Sequence, residues 1–186
     1  MILRKISKII SIGLLVSFLA FKPTAICSAS SASSVMTSTY TDDLVKISQI
    51  DKKEKECIVE TLYYEARSEG RKGLLAVASV LQERKQHPDY PSTYCKISKQ
   101  YKQFSFRLEN KPSAKALERS ISSLQDKDVE MLGEAKKIAD SMLLGAFRGI
   151  LPKGTLFYHA KYVKPTWSKG MKKVAAIGQH VFYRKA

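Results

Sequence analysis

Helix-like sequence patterns fill the middle of the chain, and strand-like patterns follow only after the last of them. In the helix-like stretches, apolar residues such as Leu74, Val77 and Leu81 recur at the spacing of one helix face. The later stretches are rich in β-branched and aromatic residues, and Gly178 and Gln179 divide the second of them as a hairpin turn would. This order predicts an α+β domain that is mostly helical, with a small antiparallel β-sheet near the C-terminus. The helical stretches are residues 51–67, 73–84 and 128–149, and the strand-like stretches are 155–160 and 172–184.

The sequence also predicts where two of these helices begin or end. Asp51 stands three residues before Glu54, which is the arrangement of a capping box at a helix N-terminus. Ser68 and Gly70 favour turns, so they are predicted to end the first helix. The third helix is predicted to end at Gly149.

Two glutamates lie at the end of the first helical stretch. Glu65 follows Leu62 by three residues, so it lies on or beside the apolar face, near the unsatisfied carbonyls of the helix end. Partial burial and the negative end of the helix dipole both raise the pKa of a carboxyl group. A raised pKa is what a general acid needs at neutral pH. Spacing alone also allows a boundary glutamate that pairs with Arg67, Arg71 or Lys72.

The first thirty residues have the pattern of a secretory signal peptide. Basic residues come first, an uncharged apolar run follows at 9–21, and small residues then surround a cleavage point between Cys27 and Ala32. The run is shorter than the roughly 20 residues of a membrane span, although an uncleaved N-terminal anchor stays open as an alternative. We expect export to the periplasm or the extracellular cell wall. The predicted organisation is a signal peptide at 1–30, a flexible Ser- and Thr-rich lead-in at 31–48, and one domain at 49–186.

The charge of the chain is strongly unbalanced. Lys and Arg number 32 against 17 acidic residues, a net charge of +15, and removing the four basic residues of the leader leaves about +11. A field of this sign attracts polyanions such as nucleic acid, anionic membrane or anionic cell wall. Export disfavours nucleic acid, so the basic surface is predicted to hold the anionic cell envelope.

Cysteine and histidine positions limit the remaining chemistry. Cleavage of the leader leaves Cys57 and Cys95, and an even pair in an oxidising compartment favours a disulfide bridge. The alternative is a pair of small buried residues. His159 and His180 have no third metal ligand at a recognisable spacing. We expect neither a metal nor a cofactor.

Several motifs follow one another in a fixed order along the domain. They are Tyr-Tyr-Glu-Ala-Arg-Ser-Glu from Tyr63, Gly-Leu-Leu-Ala from Gly73, Gln-Phe-Ser from Gln103, Phe-Tyr-His-Ala from Phe157, Trp167, and Ile-Gly-Gln-His from Ile177. In this order they resemble the SleB/CwlJ-type cell wall hydrolases, the spore cortex-lytic enzymes and their bacterial and phage relatives. The resemblance covers residues 57–184, and it departs at Ser68 and Phe106, where the family usually has Gly and Trp.

The resemblance implies a lysozyme-like, lytic-transglycosylase-like helical core and an enzyme that cleaves peptidoglycan. The bond is the β-1,4 link between N-acetylmuramic acid and N-acetylglucosamine, and Glu65 falls on the family's catalytic glutamate. A lytic transglycosylase needs only this carboxylate, because the muramic acid C6 hydroxyl replaces water and leaves a 1,6-anhydromuramoyl end. Cysteines near these positions in the family strengthen the predicted bridge between Cys57 and Cys95.

Other residues at the motif positions have the chemistry of a sugar-binding groove, although core packing is the alternative for the aromatic ones. Glu69 is a possible second carboxylate, but we expect it to be structural, bound to a backbone amide or to Arg67. Two further alternatives stay open: a muramidase-type hydrolase, and a non-catalytic wall-binding protein of the same fold. We expect a monomer that binds peptidoglycan glycan strands. The predicted substrate-binding residues are Tyr64, Gln103, Ser105, Tyr158, His159 and Trp167.

Overall fold

The computed structural model describes residues 33–100 and 103–186 of the chain, and the predicted signal peptide lies outside them. The chain divides into two units, Met1–Ser38 and Thr39–Ala186, and of the first the structure describes only helical backbone from Ser33. Within the described residues, the α-helices are α1 (Ser33–Ala66), α2 (Gly70–Gln86), α3 (Tyr94–Ser98), α4 (Ala114–Arg119) and α5 (Asp126–Leu143). The strands are β1 (Thr155–Ala160), β2 (Met171–Ile177) and β3 (His180–Lys185).

The core of the second unit lies between the apolar faces of α1, α2 and α5. These are the faces that the sequence periodicity predicts, because residues at i, i+3 and i+4 fall on one side of a helix and can be removed from water together. The predicted helical α+β fold is confirmed. The buried residues include Ile58 and Leu62 of α1, Leu74, Val77 and Leu81 of α2, and Leu132, Ala135 and Ala139 of α5.

The three strands form one antiparallel sheet in the order β1-β3-β2. The predicted hairpin joins β2 to β3, and Gly178 in its turn has a φ of +53°, a left-handed conformation that glycine adopts without strain. Phe182 of β3 is fully buried against Ala76 and Val80 of α2. The sheet therefore packs on α2, and this brings β1 to the C-terminal end of α1.

Helix α1 differs from its prediction at the N-terminal end. It begins at Ser33, so backbone that the sequence predicted as a flexible lead-in is helical. Asp51 therefore lies inside the helix, and the predicted capping box is wrong. Once a helix is nucleated, each added residue gains a hydrogen bond at little further cost, so a packed helix can continue through polar sequence. Glu54 instead caps α3, since its carboxylate accepts hydrogen bonds from the backbone amides of Tyr94 (2.6 Å) and Cys95 (3.4 Å).

Helix α5 ends earlier than predicted, at Leu143 rather than at Gly149. Gly145 has a φ of +69°, and its amide donates to the carbonyl of Met142, which closes the helix. Ala146, which the periodicity places on the apolar face, is consequently exposed outside the helix. Gly145, four residues before Gly149, therefore ends this helix.

A disulfide joins Cys57 of α1 to Cys95 of α3, with 5.1 Å between the Cα atoms. The predicted bridge is therefore confirmed. Both cysteines are buried, so it lies in the protein interior. Within the described part of the chain, no helix is both long enough and apolar enough to cross a membrane.

Candidate active site

A groove of about 550 Å³ lies between the C-terminal end of α1 and the sheet. The loop from 103 to 108 forms one wall, and the hairpin turn reaches the other side. Trp167 lines a neighbouring cavity instead, which shares Gln103 and Tyr158 with the groove. The fold thus brings together most of the predicted site residues. Those that line the groove are Tyr64, Glu65, Glu69, Gln103, Ser105, Tyr158 and His159.

Glu65 is the next-to-last residue of α1, and its carboxyl group is partly buried in the groove. Burial raises its pKa from 4.5 to about 7, because the charged form loses hydration. A hydrogen bond from Tyr158 and the positive charge of Arg84 lower the pKa, and Glu109 raises it, but burial dominates. Near neutral pH this carboxyl group can therefore both give and take a proton.

Tyr158 fixes the orientation of the Glu65 carboxyl group. Its hydroxyl donates a hydrogen bond to Oε2 of Glu65 at 3.0 Å. The ring is held between Phe182 and His180, with centroid distances of 5.6 and 5.2 Å. Burial, and then the negative charge of Glu65, raise the pKa of Tyr158 well above its usual value, so the hydroxyl stays protonated and remains a donor.

Glu69 lines the same groove but binds the protein's own backbone. Its Oε2 accepts a hydrogen bond from the backbone amide of Gln179 at 2.6 Å, in the turn between β2 and β3. A Cβ atom at Gly178 would overlap this carboxylate, and one at Gly73 would overlap the Cβ of Glu69. Two glycines therefore make room for Glu69 to join the end of α1 to the hairpin.

We expect Gly178→Ala to lower the free energy of unfolding by at least about 2 kcal/mol. The left-handed backbone disfavours a side chain by roughly 1–2 kcal/mol, and loss of the charge-assisted bond from Gln179 adds about 1.5–3 kcal/mol. Urea denaturation measures the difference. Gly170→Ala is the matched control, because a Cβ there meets nothing within 4 Å and the φ is not left-handed. Equal stability of the two variants would contradict the role given to Glu69.

His159 belongs to an aromatic cluster beside the groove. Its Nδ1 lies 2.9 Å from the carbonyl oxygen of Ala160, and its Nε2 lies 3.0 Å from the hydroxyl of Tyr183. A carbonyl only accepts, so Nδ1 carries a proton, and in the neutral ring the Tyr183 hydroxyl donates to Nε2. Trp167 packs edge-on against both rings and is 41% exposed, which leaves indole surface available to a ligand.

Tyr64 forms part of the groove wall without offering its hydroxyl group. The hydroxyl donates to the carbonyl of Pro112 at 2.7 Å, and the ring stacks on Phe106 at 5.2 Å. Gln103 and Ser105, by contrast, are exposed where they line the groove. Their amide and hydroxyl groups are accessible and can form hydrogen bonds with a polar ligand.

Sequence reasoning missed two residues near Glu65. Arg84 follows Leu81 by three residues and Val77 by seven, so helical periodicity places it on the buried face and could have identified it. His180 was considered only as a metal ligand, yet it lines the groove against Tyr158. Burial lowers the pKa of His180, Glu69 opposes this, and His159 adds to it. Among the described residues, no group of three or more His, Cys, Asp or Glu side chains is placed to hold a metal ion.

A protein-family model described as Cell Wall Hydrolase matches residues 68–183 of the chain. The match begins just after Glu65 and includes the sheet, the hairpin and the loop of the groove. No curated protein matches the chain.

Two solved structures have a similar fold. One is the catalytic domain of the germination-specific lytic transglycosylase SleB from Bacillus anthracis, with 16% sequence identity and a TM-score of 0.50 over 70% of this chain and 93% of that one. The other is the catalytic domain of the Bacillus cereus SleB protein, with 15% identity and a TM-score of 0.51 over 72% of this chain and 91% of that one.

Proposed function

The chain belongs to the cell wall hydrolase family, an assignment that makes it an enzyme acting on peptidoglycan, and we propose that it cleaves the glycan strands as a lytic transglycosylase. The observation that carries the proposal is Glu65, a partly buried carboxyl group with a pKa near 7 that a tyrosine orients in an open groove. We propose Glu65 as the catalytic acid and base. The bond cleaved is the β-1,4 link between N-acetylmuramic acid and N-acetylglucosamine.

In the first step, the protonated Glu65 gives its proton to the oxygen of the scissile glycosidic bond. The leaving sugar departs with that proton, and positive charge develops on the anomeric centre of the muramic acid. The Glu65 carboxylate that remains stabilises this charge. The Tyr158 hydroxyl steadies the carboxylate, because it already donates to Oε2.

In the second step, the Glu65 carboxylate takes the proton of the muramic acid C6 hydroxyl, whose oxygen attacks the anomeric carbon. The product carries a 1,6-anhydro bridge and no water is consumed. Glu69 supports this one-carboxylate scheme, because its Oε2 is already bound to the amide of Gln179. A hydrolase of the usual kind would need a second carboxyl group for a nucleophile or a general base.

The walls of the groove suit an N-acetylated sugar strand. We propose that Gln103 and Ser105 bind its amide and hydroxyl groups, and that Trp167 contacts a sugar face. His159 is proposed to hold Trp167 in place and to contact substrate at the groove edge. Tyr64 shapes the wall through its ring rather than its hydroxyl.

Product analysis tests the proposal directly. Purified sacculi digested by the wild-type enzyme should give fragments that end in 1,6-anhydromuramic acid, one water lighter than reducing ends, by mass spectrometry. Reducing N-acetylmuramic acid ends would mean hydrolysis. They would favour the muramidase alternative, for which Glu69 is the candidate second carboxylate because it lines the same groove. No release of fragments would leave the wall-binding protein as the function.

We expect Tyr158→Phe to move the alkaline limb of the pH–rate profile to higher pH. The tyrosine hydrogen bond lowers the pKa of Glu65, so its loss raises that pKa above about 7. Activity requires protonated Glu65 and declines as the pH rises through its pKa, so the decline begins later in the variant. The maximal rate should fall by roughly 10- to 100-fold, the worth of one hydrogen bond to a charged group.

Tyr183→Phe is the control for this shift. It removes a hydroxyl that bonds to His159 and not to Glu65, so the alkaline limb should stay in place. Both variants are compared with the wild type by initial rates on a soluble glycan between about pH 5 and pH 9. This range lies on both sides of the roughly neutral pKa. An unmoved limb in Tyr158→Phe would contradict the assigned contact.

We propose further that the enzyme is an exported monomer whose basic surface holds it on the anionic wall. Raising the salt concentration should then weaken its binding to sacculi in a sedimentation assay, because exposed charges are screened over about 8 Å at physiological ionic strength. Rates on short soluble glycans should change little, since cleavage does not depend on that surface. Equal salt sensitivity on both substrates would contradict this prediction.

A further inference from the structure

A second cavity, of about 350 Å³, adjoins the groove that holds Glu65. The two share Gln103 and Tyr158, so a ligand in the groove can extend into the cavity. Aromatic side chains dominate its wall, and one charged side chain lies among them. The remaining lining residues are Arg84, Tyr90, Phe157, Trp167 and Met171.

Arg84 is a buried charge whose hydrogen bonds are incomplete. Only 4% of its surface is exposed, and its Nε donates to the carbonyl of Leu156 at 2.9 Å. Its Nη1 is buried and has no hydrogen-bond partner among the described residues, nor does a carboxylate in that part of the chain form an ion pair with it. The guanidinium lies instead near the rings of Tyr90 and Phe104, at 5.3 and 5.8 Å from their centroids.

The presence of such a charge in the protein interior requires an explanation. Burial of a charge without a hydrogen-bonded partner of opposite sign is costly, and buried arginines are normally paired. The aromatic faces offset part of this cost. They do not supply an acceptor for Nη1, and a carboxylate is an acceptor whose geometry matches the guanidinium group.

We propose that this cavity is a subsite for a carboxylate of the substrate strand, with Arg84 as the residue that binds it. The inference rests on the proposed function, since it takes the strand to be peptidoglycan. Each muramic acid carries a lactyl group, whose carboxyl group is either free or extended by a stem peptide that bears its own carboxylates. The aromatic walls at Tyr90, Phe157 and Trp167 contact the alkyl parts next to the carboxylate.

A hydrogen bond between Nη1 of Arg84 and a substrate carboxylate requires a small movement of the cavity wall, because Nη1 is shielded from solvent. Tyr90 is the wall residue suited to this movement. It lies on the loop between α2 and α3 and is only partly buried. Side-chain shifts of this kind are common when ligands bind.

Occupation of the subsite has a consequence for Glu65. The groups that act on its pKa are Tyr158, Arg84 and Glu109, and the positive charge of Arg84 lowers it. A bound carboxylate offsets that charge, which favours the protonated form of Glu65. Substrate bound in the subsite thereby favours the protonated Glu65 that the first step requires.

The test uses the wild-type protein and monosaccharide ligands that have no glycosidic bond to cleave. The probes are N-acetylmuramic acid with a free lactyl carboxylate, the same sugar with an L-Ala-D-Glu stem, and its neutral lactyl methylamide. The chain has one tryptophan, so the indole signal of Trp167 in an NMR titration reports on the cavity itself. At least one acid should bind about 10- to 100-fold tighter than the amide, the worth of a charge-assisted hydrogen bond.

The two acids distinguish the source of the carboxylate. Tighter binding of the free lactyl acid would assign the subsite to strands without peptides, and tighter binding of the stem-bearing sugar would assign it to strands with peptides. Equal binding of all three ligands, or binding that leaves the Trp167 signal unchanged, would overturn the proposal. Because no ligand is cleaved, this outcome is distinct from a failure to digest sacculi, which would instead overturn the proposed function.

Arg84→Gln provides the matched variant. Glutamine keeps a donor for the carbonyl of Leu156 and removes the charge, so the preference for acid over amide should disappear. Arg119→Gln, an exposed change of the same charge, should retain it. A preference that persists in folded Arg84→Gln would overturn the assignment, and should this variant not fold, the wild-type titration alone decides.

Discussion

Glu65→Gln is expected to lose at least about 10²- to 10⁴-fold in activity on peptidoglycan, the usual contribution of a positioned general acid and base. Glutamine keeps the shape of the side chain, and its oxygen can still accept the hydrogen bond from Tyr158. It has no proton to give to the glycosidic oxygen. A turbidity assay on purified sacculi, followed by quantification of the released fragments, measures the loss.

Glu69→Gln is the comparison for this variant, because it removes a second carboxylate from the same groove. If Glu69 serves to bind the amide of Gln179, the variant should lose less activity and more stability than Glu65→Gln. A folded Glu65→Gln protein with near-normal activity would refute the assignment of the catalytic residue. Equal losses in the two variants would instead indicate a pair of catalytic carboxylates.

The stability of Glu65→Gln should differ from that of the wild type in a pH-dependent way. The folded protein holds the pKa of Glu65 at about 7, above its usual 4.5. Between these pH values the folded state retains a proton that the unfolded chain has released, so wild-type stability declines as the pH rises through this window. Glutamine does not titrate, and this part of the decline should be absent in urea denaturation of the variant.

The sequence predicts the place of Glu65, beside the buried face at the end of the first helix, because the evidence for that place is local. Its distance from Leu62 places it at the edge of the buried face, and a turn follows within a few residues. The hairpin at Gly178 is equally local, since the turn residues and the flanking strands are contiguous. Periodicity and turn chemistry act over a few residues, so they can be read from one sequence.

Contacts between distant segments could not be predicted in the same way. Glu54 has the spacing of a capping box, but its carboxylate binds the start of α3, some 40 residues away. Tyr158 has the chemistry of a sugar-binding residue, yet its hydroxyl reaches Glu65 across 93 positions. Such pairings depend on how the sheet packs on α2, and a single sequence carries no direct signal for that packing.

Removal of the disulfide is expected to cost about 2–4 kcal/mol in the free energy of unfolding. The bridge links residues 38 positions apart, and a closed loop of that length restricts the unfolded chain by about 4 kcal/mol in the chain-entropy description. We therefore expect the double variant Cys57→Ala/Cys95→Ala to show a lower denaturation midpoint in urea. At room temperature it should remain folded and active, because the loss is smaller than the stability of a typical domain.

A second connection between α1 and α3 explains why the fold should survive this loss. The Glu54 carboxylate accepts from the amides of Tyr94 and Cys95, so it holds the start of α3 on α1 without the disulfide. Glu54→Gln in the bridged protein should cost less than in the double cysteine variant, where the disulfide no longer helps to hold α3 on α1. A double-mutant cycle in urea measures this coupling. Additive losses would show that the two connections act independently, and an unchanged midpoint after removal of both cysteines would show that the bridge does not stabilise the fold.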